Sequence, residues 1–171
     1  MPGFPAALLT VREEAGAGCD GLLVFDRAEN LAAIDSREAR YRRVALAPDT
    51  LEIYGQWPAD CPIWVYVARE ELPVHKEPPT ILQSYLDAVM LGFLEEHGEE
   101  GLDRFLAETQ LFDLPIHADR QAPIYPRAVP LDADLAGRFD ALLAARGGFR
   151  YAGGRPAGYN RLVPWCKEPR P

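Results

Sequence analysis

The adjacent prolines Pro78 and Pro79 divide this chain into two stretches with different hydrophobic patterns. Proline has no N–H group and ends a strand that reaches it, and Thr80, close behind, is suited to cap a helix. Before the prolines, short apolar or alternating runs predict strands, whereas after them the apolar residues recur at helical spacing. The predicted strands cover residues 7–13, 21–25, 41–46, 51–54 and 62–68.

Helices are predicted mainly in the second stretch. One begins at Ile81 and is ended by Gly98, a second covers residues 99–107, and a third, amphipathic helix covers 132–146. Asn30 is suited to cap a shorter, earlier helix that runs to residue 38. Four prolines between residues 114 and 130 predict an irregular loop. This mixture of strands and helices predicts an α+β chain.

Length and composition limit the class of protein. A chain of 171 residues with 48% apolar residues suits one domain with a real core. Its net charge of −8 gives no general attraction to nucleic acid or to anionic lipid. The apolar runs are too short to cross a bilayer, and the first residues do not resemble a secretory signal. These features predict a cytoplasmic protein without nucleic-acid or membrane partners, and they leave its oligomeric state open.

Cysteine and histidine spacing gives no indication of a cross-linked or metal-binding fold. Three widely spaced cysteines favour a reducing compartment over a disulfide framework. The three histidines are scattered, and none pairs with a second potential ligand at helical spacing. We therefore predict no metal site. The residues concerned are Cys19, Cys61, Cys166, His75, His97 and His117.

The last 25 residues differ in composition from the rest of the chain. Residues 147–171 contain five Lys or Arg and one acid, Glu168, among many glycines and prolines. We predict a domain over residues 1–146 and a tail without its own fold over 147–171. The simplest interpretation is a basic tail lying on an acidic body, and a nucleic-acid-binding arm is the alternative.

Glu38 is the residue best placed for acid–base chemistry. It lies between the predicted short helix and the strand from Tyr41, with Asp35 and Arg37 close in sequence. One carboxylate can take a proton and later return it, which contributes roughly 10²- to 10⁴-fold to a rate. Two other interpretations stand beside this one. The first is a surface ion pair between Glu38 and a neighbouring arginine, and the second is an unrelated small hydrolase that uses Asp35 and Glu38.

The segment Ile34-Asp35-Ser36-Arg37-Glu38-Ala39-Arg40-Tyr41 resembles the Leu-Asp-x-Arg-Glu-x-x-Tyr signature of the γ-glutamylcyclotransferase-like family, with Ile in place of Leu. Residues 21–23 are similar to the Gly-hydrophobic strand that precedes the signature, and residues 65–67 to the family's Tyr-Val strand. The resemblance spans roughly residues 20–143. It implies a single α+β domain in which about three helices pack on a mixed, barrel-like sheet.

Later residues resemble the bacterial subgroup of this family. The segment from Pro79 to Tyr85, followed by Asp87 and Gly92, is similar to a helix of the bacterial members. Their late loop is similar to Pro115-Ile116, Asp119-Arg120 and the run Ala122-Pro123-Ile124-Tyr125-Pro126-Arg127-Ala128.

The resemblance implies a reaction and a set of site residues. Members of the family cyclise a γ-glutamyl group: its α-amine attacks its own γ-carbonyl, which gives 5-oxoproline and releases an amine. By matching position, Glu38 is the catalytic acid–base, and Tyr41, Tyr66 and Tyr85 bind the substrate. No cofactor is implied. The partner is a small γ-glutamyl compound, whether glutathione, a γ-glutamyl dipeptide or a γ-glutamylamine.

One family feature has no counterpart in this sequence. Family members begin with a strand that ends in Tyr-Gly-Ser-Leu, whose N–H groups hold the substrate carboxylate and the developing oxyanion. Tyr54-Gly55-Gln56-Trp57 follows the signature and lacks Ser-Leu. Losing one oxyanion donor commonly costs ~10²- to 10³-fold in rate. The expectation is either a start codon upstream of Met1 or a catalytically impaired relative that binds a ligand or regulates.

Overall fold

The computed structural model describes residues 6–56, 58, 60–69, 79–110, 114–146 and 151–152. The chain divides into two compact units. The strand unit comprises Leu9–Ala17 and Leu22–Val74, and the helical unit comprises Met1–Leu8, Gly18–Gly21 and His75–Pro171. The described elements confirm the α+β class and include three α-helices.

The strand unit is built around one antiparallel pair of strands. Its elements are a 3-10 turn at Ala28–Asn30, helix α1 at Leu31–Arg37, strand β1 at Tyr41–Leu46, a 3-10 turn at Pro48–Thr50 and strand β2 at Ile63–Ala68. The register runs from Tyr41 opposite Ala68 to Leu46 opposite Ile63. Side chains alternate between the two faces of a strand, so Arg43 and the opposing Tyr66 share one face. Both predicted strands and the short helix are confirmed here.

The helical unit contains the main hydrophobic core. Its elements are strand β3 at Ile81–Leu82, helix α2 at Gln83–Glu108, strand β4 at Ile116–His117, helix α3 at Ala133–Ala145 and strand β5 at Tyr151–Ala152. The three short strands form a parallel sheet in the order β3-β4-β5. The core combines residues from α2, β4 and α3: Leu86, Met90, Leu102, Phe105, Leu106, Ile116, Phe139 and Leu143.

Two predicted helix boundaries are confirmed. Gly98 has φ 67° and ψ −165°, which interrupts α2 where the sequence predicts the end of one helix and the start of another. This backbone conformation is essentially restricted to glycine. At α3, the Asp132 side chain accepts a hydrogen bond from the Leu135 N–H at 2.7 Å, which caps the helix at its predicted start.

Three predicted strands are wrong. Residues 7–13, 21–25 and 51–54 form no strand, although Ala6 pairs with Thr80 at an isolated bridge. The apolar run 21–25 was expected to be buried, yet the residue Val24 is 87% exposed. A strand forms only where a neighbour accepts its backbone hydrogen bonds, and an apolar run does not specify that neighbour.

The barrel-like sheet is also not found. The strands that the structure describes belong to a two-stranded and a three-stranded sheet, with no closed barrel among them. Closing a barrel requires several long strands in a continuous ladder, and the missing three strands leave too few. Of the predicted tail, only Tyr151–Ala152 belongs to the described residues, where it forms β5.

Two predicted caps are wrong as well. Thr80 does not cap α2, because it pairs with Ala6 and the helix begins three residues later, at Gln83. The Asn30 side chain makes no capping bond to α1 and donates instead to Asp26. The predicted irregular loop at 114–130 is confirmed except for the two residues of β4.

Candidate active site

A tight turn positions Glu38 between α1 and β1. The Glu38 N–H donates to the Ile34 carbonyl at 2.8 Å, and the Tyr41 N–H donates to the Glu38 carbonyl at 2.8 Å. The side chain of Glu38 is 29% exposed, which agrees with the partial burial expected of a catalytic carboxylate. Its Oε1 accepts a hydrogen bond from Arg37 Nε at 2.9 Å. The ion pair anticipated as the alternative interpretation is therefore present.

A second carboxylate, Asp35, organises the neighbouring polar groups. The Tyr66 hydroxyl donates to Asp35 Oδ1 at 2.7 Å. Arg43 Nη2 lies 3.4 Å from the other oxygen, Asp35 Oδ2. Asp35 thus connects α1 to two opposing residues on one face of the β1–β2 pair. The role of Asp35 between Tyr66 and Arg43 was not predicted, since it depends on a strand register that the sequence does not reveal.

The electrostatic environment of Tyr66 connects it to both carboxylates. Desolvation is the largest cause that raises the pKa of Tyr66, followed by its hydrogen bond to Asp35 and the negative charge there. The charge of Glu38 raises this pKa further, whereas the charge of Arg43 lowers it. Coulombic influence falls with distance, so Glu38 acts from the same neighbourhood as the Tyr66 hydroxyl. The charge of Glu38 thus acts on the Tyr66 hydroxyl, and both residues are among the predicted site residues.

Arg43 is held against an aromatic ring on the same strand pair. The carbon atom at the centre of its guanidinium lies 4.9 Å from the centroid of the Trp64 ring, a cation–π arrangement. Arg43 Nη1 is buried and has no hydrogen-bond partner. This residue was not predicted. Its position on the Tyr66 face follows from strand alternation once the register is known.

The other two predicted tyrosines have different surroundings. Tyr41 begins β1, and its hydroxyl donates to the Leu9 carbonyl at 3.2 Å. Tyr85 belongs to the helical unit, where its ring makes an edge contact with Tyr125 at a centroid distance of 5.0 Å. Tyr41 therefore shares the strand unit with Glu38 and Tyr66, and Tyr85 lies in the other unit.

A separate buried polar cluster in the helical unit centres on Asp119. The N–H and hydroxyl of Ser84 donate to its two carboxylate oxygens at 2.8 and 2.6 Å. The Ile124 N–H donates to the second oxygen at 2.9 Å. Asp119 thus caps the first turn of α2 from a distant loop, a role ordinarily taken by the residue before the helix.

The next residue, Arg120, joins α2 to α3. Its guanidinium makes two hydrogen bonds to Asp87, at 2.8 and 2.9 Å, and two to Asp140, at 3.0 and 2.8 Å. The hydrogen bonds to Asp87 are the main cause that raises the pKa of Arg120. Residues 84 and 87 of α2 therefore contact residues 119 and 120 of the loop, and these contacts hold the helical unit together.

No described group of three or more His, Cys, Asp or Glu side chains is arranged to hold a metal ion. In the same residues, no helix combines the length and the apolarity that a membrane span requires. The polar groups of the candidate site are the carboxylates of Asp35 and Glu38, the Tyr66 hydroxyl and the Arg43 guanidinium. Such a set can transfer protons and bind a charged ligand.

Comparison with known proteins adds no relative. No family model matches the sequence, and no curated protein or solved structure matches the chain.

Proposed function

We propose that the protein is a cofactor-independent enzyme of the γ-glutamylcyclotransferase type, with Glu38 as its acid–base. The observation that carries this proposal is the half-buried Glu38 carboxylate in the neighbourhood of the Tyr66 hydroxyl, on the segment that resembles the family signature. The proposal includes a reducing, cytoplasmic location, which rests on the spacing of the cysteines.

The proposed reaction needs proton transfer and orientation. The α-nitrogen of the substrate forms a bond to its own γ-carbonyl carbon, and the bond from that carbon to the leaving nitrogen breaks. Glu38 takes a proton from the α-ammonium group and passes it to the leaving nitrogen. It then takes the second proton that the α-nitrogen loses on forming the lactam and passes it to the released amine, which leaves as an ammonium. Because both reacting groups belong to one molecule, correct folding of the bound substrate supplies ~7–11 kcal/mol at most. Tyr66 and Tyr41, which belong to the same unit as Glu38, are proposed to contact the substrate.

The test is an assay of 5-oxoproline release from γ-glutamyl dipeptides, γ-glutamylamines and glutathione. Glu38→Gln removes the base while preserving the size of the side chain, so we expect turnover to fall by roughly 10²- to 10⁴-fold. The control is Glu29→Gln, which removes an exposed carboxylate before α1 and should leave turnover unchanged. Turnover that survives Glu38→Gln would exclude Glu38 as the base.

A second candidate is a relative that binds γ-glutamyl compounds without converting them. It is favoured by the 2.9 Å contact between Arg37 and Glu38, because an ion-paired carboxylate is less available as a base. Saturable binding of these compounds together with no 5-oxoproline release at any substrate concentration would support this candidate over the enzyme.

A further inference from the structure

We propose that Arg43 binds the carboxylate of an α-amino acid group through the Nη1 side of its guanidinium. The inference rests on the proposed function and extends it: in a γ-glutamyl substrate, the carboxylate is the one next to the reacting amine. Arg43 Nη1 is the starting point, because it is one of two described side-chain atoms that are buried without a hydrogen-bond partner.

A buried N–H donor without an acceptor is costly, and a charged one more so. Among the described residues, Arg43 has one ion pair, with Asp35, and it does not relieve this cost. Asp35 Oδ2 lies 3.4 Å from Nη2, which exceeds the roughly 2.7–2.9 Å of a strong charge-assisted hydrogen bond. A ligand carboxylate beside Nη1 supplies the missing acceptor and uses the planar, forked donor geometry that suits guanidinium groups to carboxylates.

The surroundings hold Arg43 in place for this role. Trp64 covers one face of its guanidinium at 4.9 Å. Asp35, which also accepts the Tyr66 hydrogen bond, lies on the Nη2 side of the guanidinium. The side chain of Arg43 nevertheless remains 27% exposed, so the residue is accessible from solvent.

Arg120 shows what a purely structural arginine looks like in the same chain. Four hydrogen bonds to two carboxylates occupy its guanidinium and join α2 to α3. Among the described residues, Arg43 contacts the Trp64 ring and has the long contact to Asp35, and neither uses Nη1. This difference separates an arginine whose donors are used within the fold from one with a donor left for a ligand.

The acids beside Arg43 specify the rest of the ligand. Asp35 and Glu38 are three positions apart at the end of α1, and both charges act on Tyr66. A carboxylate alone would be repelled by these two acids, whereas an α-amino acid group also presents an ammonium to them. The arrangement therefore favours a zwitterion, with its carboxylate at Arg43 and its ammonium at Glu38.

The experiment measures equilibrium binding by titration calorimetry with two pairs of inert ligands. L-glutamate is compared with L-isoglutamine, and 5-oxoproline with 5-oxoprolinamide, since each pair differs only in replacing the α-carboxylate by a carboxamide. The wild-type chain should bind L-glutamate roughly tenfold or more tightly than L-isoglutamine, and it should bind 5-oxoproline, which has no ammonium, more weakly than L-glutamate. Arg43→Gln should abolish that preference, and Arg43→Lys should retain part of it.

Arg42→Gln is the matched control, because Arg42 is an exposed neighbour on the opposite face of β1 and should keep the full preference. Equal affinity for acid and amide in the wild-type chain would overturn the inference, as would a preference that survives Arg43→Gln. If Arg43→Gln does not fold, the wild-type comparison and Arg43→Lys decide. Two outcomes separate this inference from the proposed function. Acid-selective binding through Arg43 without 5-oxoproline release would contradict the proposed enzyme but not the role of Arg43. Turnover with an unchanged KM in Arg43→Gln would contradict the role of Arg43 but not the enzyme.

Discussion

The Tyr66 hydroxyl donates to Asp35 at 2.7 Å beside the charge of Glu38, so its own proton is held by an acceptor that is already negative. Ionising Tyr66 would remove the donated hydrogen and place a third negative charge in this neighbourhood. Desolvation, the largest cause, acts in the same direction. The pKa of this one hydroxyl therefore depends on the charges of Asp35, Glu38 and Arg43 together.

We predict that this group weakens the protein at alkaline pH. The pKa of Tyr66 is raised in the folded state, so its contribution to stability is fully present below the unfolded pKa, about 10, and is lost as pH rises through the higher folded value. Urea unfolding at a series of pH values should show the free energy of unfolding falling above about pH 10. Tyr66→Phe should reduce that fall, whereas Tyr54→Phe, at an exposed position, should not. Equal slopes for Tyr66→Phe and the wild-type chain would contradict the prediction.

Two features of helix α2, its start and its bend, each depend on a single residue. Helix α2 starts where Asp119 supplies the acceptors for its first turn, and it bends at Gly98. Neither dependence follows from helix propensity, because one involves a distant carboxylate and the other a backbone conformation. Substitutions at these positions therefore distinguish tertiary from local control of the helix.

Removing the Asp119 carboxylate should destabilise the helical unit by about 2–4 kcal/mol, because it leaves buried donors of Ser84 and Ile124 unpaired. Asp119→Ala is compared with Gln121→Ala, a nearby substitution at an exposed position that should change stability by less than about 0.5 kcal/mol. Chemical denaturation followed by circular dichroism measures both. A cost for Asp119→Ala as small as that of the control would show that the cap contributes little.

Alanine at two glycines of α2 should change stability in opposite directions. Gly98→Ala should cost about 1–3 kcal/mol, because a side chain strains the backbone at φ 67° and ψ −165°. Gly92→Ala lies in the helical part of α2, so it should stabilise by up to about 1 kcal/mol. An added Cβ meets no atom within 4 Å at either position, so the difference isolates the backbone effect. Melting temperatures that move in the same direction would contradict this account.

At the scale of the whole molecule, the two units differ in how much apolar surface they bury. The buried apolar side chains described in the helical unit include Met90, Leu106 and Phe139, whereas Ile63 is the one described in the strand unit. A two-stranded sheet is marginal in water without such a core. The proposed site therefore belongs to the unit with the smaller core.

Native-state hydrogen exchange should show this difference. We expect the backbone amides of Met90, Leu106 and Phe139 to exchange only by global unfolding, and those of β1 and β2 to exchange faster through local opening. Urea at concentrations below the unfolding transition should accelerate the exchange of the Met90, Leu106 and Phe139 amides much more steeply than that of the β1 and β2 amides. Equal protection in both units would contradict the prediction.

The sequence predicts those parts of the structure that depend on local pattern. The helix over residues 132–146, the break at Gly98 and the strands from Tyr41 and Ile63 are of this kind. The expected strand at 21–25 failed because pairing depends on a partner elsewhere in the chain. For the same reason the sequence indicates Glu38 and, in the hydrolase alternative, Asp35, but not Arg43. The contact between Asp35 and Arg43 is set by the β1–β2 register and the position of α1.

Asp119 and Ser84 are 35 positions apart, so α2 receives its cap only after the intervening chain has closed on itself. Closing a long segment costs conformational entropy before the contacts between its ends stabilise the chain. We therefore expect the contacts of Asp119 to form after the rate-limiting step of folding. The packed segment from Met90 to Leu106 can form the folding nucleus without them. Loss of the Asp119 carboxylate should therefore accelerate unfolding while leaving the folding rate almost unchanged, and the resulting short native lifetime would expose the helical unit to proteolysis.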